Sequence, residues 1–197
     1  MKAKPLILIL VAGVALSAAF TADSPSSKSH KLTTVSMRKM TDSLHAVIAA
    51  DRQAYAELIV QRLRADPEHR VPVTEDWERA GGVPAPAQML RHAAQDIQKH
   101  GAEFSYTLRS LWPISAGHGP QTDAEQAGLE AVAKNPAQPF YTEEELGGRS
   151  YFTAIYPDRA TLPSCVSCHN NDPRSPKRDF KQGDVMGAIV VRVPLEF

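Results

Sequence analysis

The sequence predicts an α+β fold organised around an antiparallel sheet. Three observations carry that reading. One long stretch near the start has helical periodicity, four later runs read as strands, and nowhere do strand and helix alternate regularly as a parallel sheet requires. A chain of 197 residues supports one ordinary hydrophobic core rather than two. The 22 Lys and Arg balance 22 Asp and Glu, so the basic stripe needed for nucleic acid is missing and DNA and RNA drop out as partners. At 43% hydrophobic and 22% charged residues, the chain is neither disordered nor a polytopic membrane protein.

The elements follow in order. Lys2 and Lys4 precede an apolar run over residues 5–20 that ends in small residues, which is the pattern of an export signal. Residues 1–22 are expected to be either a signal peptide cleaved after Ala19 or an uncleaved membrane anchor, although the run is short for a span of about 20 residues. Both outcomes place the remainder outside the cytoplasm: in the periplasm, secreted, or tethered to the outer face of the inner membrane. Residues 23–35 are polar and aperiodic and read as a flexible tether, leaving 36–197 as the folded domain.

Within 36–65, Met37, Met40, Leu44, Val47, Ile48, Tyr55, Leu58, Ile59 and Leu63 recur at threes and fours, predicting a long amphipathic helix stopped by Asp66-Pro67. At roughly 45 Å it exceeds what a small core covers, so a second copy could pair with it as a homodimer. Residues 67–86 hold four Pro and Gly81-Gly82 and predict an irregular loop. A helix is expected over 87–100, entered through Pro84 and Pro86 and ended at Gly101. Phe104, Tyr106 and Leu108 alternate with polar residues at strand period, and Trp112-Pro113 ends the run. Thr122 and Glu125 form a capping box opening a short helix that Asn135-Pro136 closes. Runs over 140–146 and 149–156 flank Gly147-Gly148 as a hairpin. Residues 185–193 are rich in β-branched residues and predict an interior strand.

The chemistry is concentrated in Cys165-Val166-Ser167-Cys168-His169, the C-x-x-C-H attachment sequence for c-type haem. Two intervening residues let both sulfurs reach vinyl groups of one porphyrin, and the next side chain brings an imidazole to the iron. Three rivals are weaker. A thioredoxin-type redox pair should open a helix after a strand in a βαβ setting, and Pro163 with Asn170, Asn171 and Pro173 argues against that context. Zinc lacks a second Cys pair to complete a tetrahedron. A disulfide across two residues is strained.

Further segments extend the match: Ser110-Leu111-Trp112-Pro113-Ile114, Gly128-Leu129-Glu130-Ala131-Val132, Gly147-Gly148-Arg149 with Tyr151-Phe152-Thr153-Ala154 and Tyr156-Pro157-Asp158, Ser175-Pro176-Lys177-Arg178-Asp179-Phe180-Lys181 and Gly183-Asp184-Val185-Met186-Gly187. With the C-x-x-C-H these resemble a bacterial family of exported c-type haem domains long catalogued as a domain of unknown function. The resemblance runs from about Ser36 to the C-terminus. It implies a PAS-like antiparallel sheet with flanking helices, in a stand-alone protein or as the sensor part of chemoreceptors and histidine kinases. It also implies one covalently attached haem c, with Cys165 and Cys168 as thioether anchors and His169 as proximal ligand.

Some members of that family carry a Cys as the other axial ligand, and this chain has no third Cys. Others resemble P-A-Q-M-F-R-M where this chain has Pro86-Ala87-Gln88-Met89-Leu90-Arg91-His92. Met89 and His92 lie three apart on the expected helix, and His92 is favoured as sixth ligand over Met89; an open site is the third option. His45, His69, His100 and His118 read as surface or loop residues. Trp112, Tyr151, Phe152 and Tyr156 are candidates to line the porphyrin. Arg149, Arg174, Lys177, Arg178 and Lys181 are candidates to pair with its propionates. The expected function is a monohaem cytochrome-like protein rather than an enzyme, working in electron transfer with a redox partner protein or in redox or gas sensing. No kinase or cyclase region follows Val193, so a signalling output is expected to need a separate partner. The alternative is a peroxidase-like haem enzyme with an open iron and His92 as acid and base.

Overall fold

The computed structural model describes residues 34–196. The expected signal or anchor over 1–22, and all but the last two residues of the expected tether over 23–35, lie outside the described residues. Among the described residues no helix is long and apolar enough to cross a membrane.

Four strands, β1 (Ser105–Arg109), β2 (Phe140–Leu146), β3 (Arg149–Arg159) and β4 (Val185–Pro194), form one sheet in the order β1-β4-β3-β2, with every pairing antiparallel. This is the α+β architecture and the antiparallel sheet with flanking helices that the sequence predicts. The last strand sits inside the sheet and is covered on both sides, which is why its sequence is a continuous apolar run rather than an alternation. Ile189 and Val191 pack with Leu90, Ala94 and Ile48 on one face, while Ala188 and Val190 pack with Leu129 and Val132 on the other. Gly147 and Gly148 take φ of 60° and 79°, the left-handed values a two-residue hairpin requires.

The first face is covered by the long helix and by α4 (Pro86–Lys99), the second by α5 (Asp123–Lys134). Ser36 caps α1 (Met37–Tyr55) by accepting from Lys39 N at 3.3 Å, and Thr122 caps α5 by accepting from Glu125 N at 3.1 Å. The long helix is continuous but not uniform. A π turn at Ala56–Val60 separates α1 from α2 (Gln61–Ala65). It leaves Val47, Leu58 and Ile59 exposed, so its apolar pattern exceeds what the sheet buries.

Two boundaries differ from the sequence reading. The loop after Pro67 holds a one-turn helix α3 (Trp77–Ala80) and a bridge between Val73 and Val83. Strand β3 continues past Tyr156 through Pro157 to Arg159, with a register shift between Asp158 and Arg159. Such irregularities re-aim side chains at sheet margins, and Asp158 is the residue affected.

Candidate functional site

The C-x-x-C-H motif is helical. The prolines and asparagines around it argue against a helix at the sequence level, yet Pro163 and Asn171 are the first and last residues of α6 (Pro163–Asn171). Pro163 occupies the first turn, where its fixed φ suits the helix and its missing N–H costs nothing. Cys165 and Cys168 therefore lie three apart, and His169 four from Cys165, on neighbouring positions of one helical face. Both cysteines are free thiols. Asn170 and Phe180 exchange two hydrogen bonds, Asn170 Nδ2 to Phe180 O at 2.9 Å and Phe180 N to Asn170 Oδ1 at 3.1 Å, which pins the following loop against α6. The Phe180 ring meets His169 edge-on at 5.9 Å and Trp112 at 5.8 Å.

All three motif side chains open onto a cavity of about 400 Å³, within the usual range for cofactor sites. Leu108, Met186 and Gly187 contribute the sheet side and Trp112 a ring. The long helix contributes Arg52, Ala56, Val60 and Arg64, four residues at intervals of four. In an uninterrupted α-helix each such step drifts about 40° around the axis. The wider π turn between Ala56 and Val60 takes that drift back, so the whole stripe keeps facing the cavity. Arg52 pairs with Asp158, the residue displaced by the β3 irregularity.

Burial dominates the electrostatics of this space. It lowers the pKa of His169, with Asp158 opposing, and its Nδ1 is buried without a hydrogen-bond partner. His118, which also lines the cavity, is lowered by burial and by the cations of Arg91 and Arg109. Burial likewise lowers the Arg91 guanidinium.

Of the sequence candidates, Cys165, Cys168, His169 and Trp112 converge here, and Arg174 joins them on the wall. Others are elsewhere. On α4 the stripe Leu90, Ala94 and Ile97 turns to the sheet, with Met89 packed beside it. The face shown to the cavity is Ala87, Gln88 and Arg91. Met89 is thus a core residue, and His92 is exposed, edge-on to Trp77 at 6.0 Å. Tyr151 sits opposite Pro194 near the hairpin end, with Arg149 over its ring. Phe152 packs in the core, and Tyr156 stacks on His45 at 3.9 Å while donating to Asp42 at 2.7 Å. Choosing residues by ligating chemistry overlooked which helical stripe the sheet would claim. Arg52, Arg64 and Arg91 went unnoticed for the same reason, although Arg52 and Arg64 frame Ala56 and Val60 at a visible spacing.

Among the described residues no group of three or more His, Cys, Asp or Glu is arranged to hold a metal ion by itself. A strand does precede α6, but the sheet is antiparallel, unlike the βαβ setting of a thioredoxin pair.

A family model described as Tll0287-like matches residues 28–194. The fold is similar to a solved structure described as the crystal structure of the cyanobacterial heme-protein Tll0287, at 18% identity and a TM-score of 0.48, covering 78% of this chain and 96% of that one. No curated protein matches.

Proposed function

Since this chain belongs to the Tll0287-like family, we propose that it is a haem-binding protein whose porphyrin is anchored covalently by Cys165 and Cys168 and whose iron takes His169 as axial ligand. The observation that carries this reading is the placement of two free thiols and a half-buried imidazole on one helical face, opening onto a single cavity. The residues fit the group. Each thiol can add across one vinyl, its sulfur bonding one carbon and its proton going to the other. The His169 ring has a buried nitrogen that no protein atom satisfies, and Trp112, Leu108 and Met186 offer apolar wall to a flat macrocycle.

When bound, the haem iron supplies a one-electron couple tuned by its ligands and surroundings. Cys168 is exposed, so the thioether edge of the site lies at the protein surface, as electron exchange with a partner protein requires. Electron transfer is therefore the leading role. The proposed compartment is outside the cytoplasm, where haem c maturation and the expected N-terminal signal both belong.

The test is expression in a host able to mature c-type haem. The protein should be coloured, keep its pigment in acidified organic solvent and be recovered outside the cytoplasm. Cys165→Ala with Cys168→Ala should release the pigment. A colourless product, or pigment extracted from the wild type, overturns the reading. Carbon monoxide binding to the reduced protein separates sensing from a six-coordinate carrier.

A further inference from the structure

Among the described residues four buried side-chain nitrogens have no hydrogen-bond partner: Nε of Arg52, Arg64 and Arg91, and Nδ1 of His169. All four belong to residues lining the one cavity. Buried polar groups are rarely left unsatisfied, because each forfeits its hydration without return, so the three guanidinium N–H groups, which can only donate, point to a missing acceptor.

The ion pairs decide which guanidiniums are free for it. Arg52 is committed to Asp158, Arg109 to Glu125, and Arg174 to Asp172 and Glu75. Arg64 and Arg91 have no carboxylate within salt-bridge distance among the described residues. Two uncommitted guanidiniums therefore face the cavity, from α2 and α4. A carboxylate suits them because the planar guanidinium fork binds it through two parallel hydrogen bonds.

Resting on the haem reading above, we propose that Arg64 and Arg91 form a carboxylate clamp, each holding one of the two haem propionates. The surface cations singled out by sequence have other partners: Lys177 lies over the Trp112 and Phe180 rings, Arg178 donates to backbone carbonyls of Pro173 and Ser175, and Arg149 donates to Glu196 O. The clamp has two consequences. It keeps the propionates ionised across neutral pH, since an adjacent cation favours the charged carboxylate. It also offsets their negative charge near the iron, which favours the reduced state. Burial strengthens both effects, and the lowered pKa of Arg91 is the counterpart of that burial.

The experiment uses the full chain matured with haem, as Arg64→Gln, Arg91→Gln, the double variant and the two Lys counterparts. Arg149→Gln serves as a surface control. Each Gln variant should retain covalent haem but show a lower midpoint potential that now varies with pH, together with shifted propionate bending bands in resonance Raman spectra. The double variant should show the larger change, the Lys variants should restore most of it, and Arg149→Gln should match the wild type. An unchanged potential and unchanged bands in the double variant overturn the clamp and leave the haem reading intact. Absence of covalent haem from the wild type overturns the haem reading itself. Should the double variant fail to fold, the wild type decides: propionate bands constant across neutral pH support the clamp, and bands that titrate there overturn it.

Discussion

Arg192 on β4 donates to Glu125 on α5 at 2.9 Å, and the Glu125 side chain is only 1% exposed. The same carboxylate accepts from Arg109 on β1 and from Gln121 N at 2.7 Å, tying one helix to two strands beneath the sheet. Taking away the carboxylate leaves the mostly buried Arg109 guanidinium without its ion-pair partner and Arg192 with Glu144 alone; a broken buried pair costs about 3–5 kcal/mol. Glu125→Ala should therefore lower the urea midpoint strongly and also release Arg109, which lines the cavity, from its carboxylate. A loss below about 1 kcal/mol would mean that solvent already compensates the network, as at exposed pairs.

Glu144 extends this network and gives it a pH dependence. Burial works to raise its pKa, but hydrogen bonds from Thr153 and Arg192 outweigh it and hold the carboxyl below its ordinary value of 4.5. A depressed folded value means stability that is fully present above that ordinary value and is lost as pH falls through the lower folded one. Thermal unfolding followed at neutral pH and again below the ordinary value should show a smaller drop for Glu144→Gln than for the wild type. Equal drops would place the acid sensitivity on other carboxylates, such as Asp172, whose pKa the adjacent Arg174 holds near about 2.

The order and type of the major elements were legible in the sequence because strong local signals marked them: the Thr122 cap, the Gly147-Gly148 turn and the β-branched run of the last strand. What was not legible depended on packing between distant segments. Pro163 looked like a breaker because its neighbours are turn formers, yet at the first turn it starts α6. Pro84, Pro86 and Gly101 located α4 correctly, but only contact with the sheet decided that Leu90 turns inward and Arg91 toward the cavity. The π turn in the long helix, which keeps Arg52 through Arg64 aligned, has no signature in composition.

Gly187 sits on the cavity wall where β4 passes β1, and a Cβ there would lie 2.5 Å from Arg109 O. That oxygen belongs to sheet backbone and cannot rotate away. At Gly128 on α5 the nearest obstacle is the Cδ1 methyl of Ile155 at 2.1 Å, the far end of a side chain that can change rotamer. Gly187→Ala should therefore cost more than Gly128→Ala, with overpacking of this kind worth roughly 1–3 kcal/mol. Denaturant unfolding of the two variants compares them directly; the reverse order would show that β4 yields more readily than the core around Ile155.

The two side chains that sequence chemistry favoured as sixth ligand supply the last test. His92 is exposed and beside Trp77, and Met89 packs against the sheet-side core, whereas Arg91 between them lines the cavity. A ligand must share the cavity with His169, so neither His92→Ala nor Met89→Ala should alter the optical spectrum of the matured protein in either oxidation state. Their other effects should differ. His92→Ala removes an exposed ring and should be nearly neutral to stability, while Met89→Ala deletes core volume, a class of change that costs about 2–5 kcal/mol when fully buried and less at this half-buried position. His169→Ala should change the spectrum outright. A spectral shift in His92→Ala with stability unchanged would show that α4 rotates when the haem is in place, bringing its exposed face to the iron.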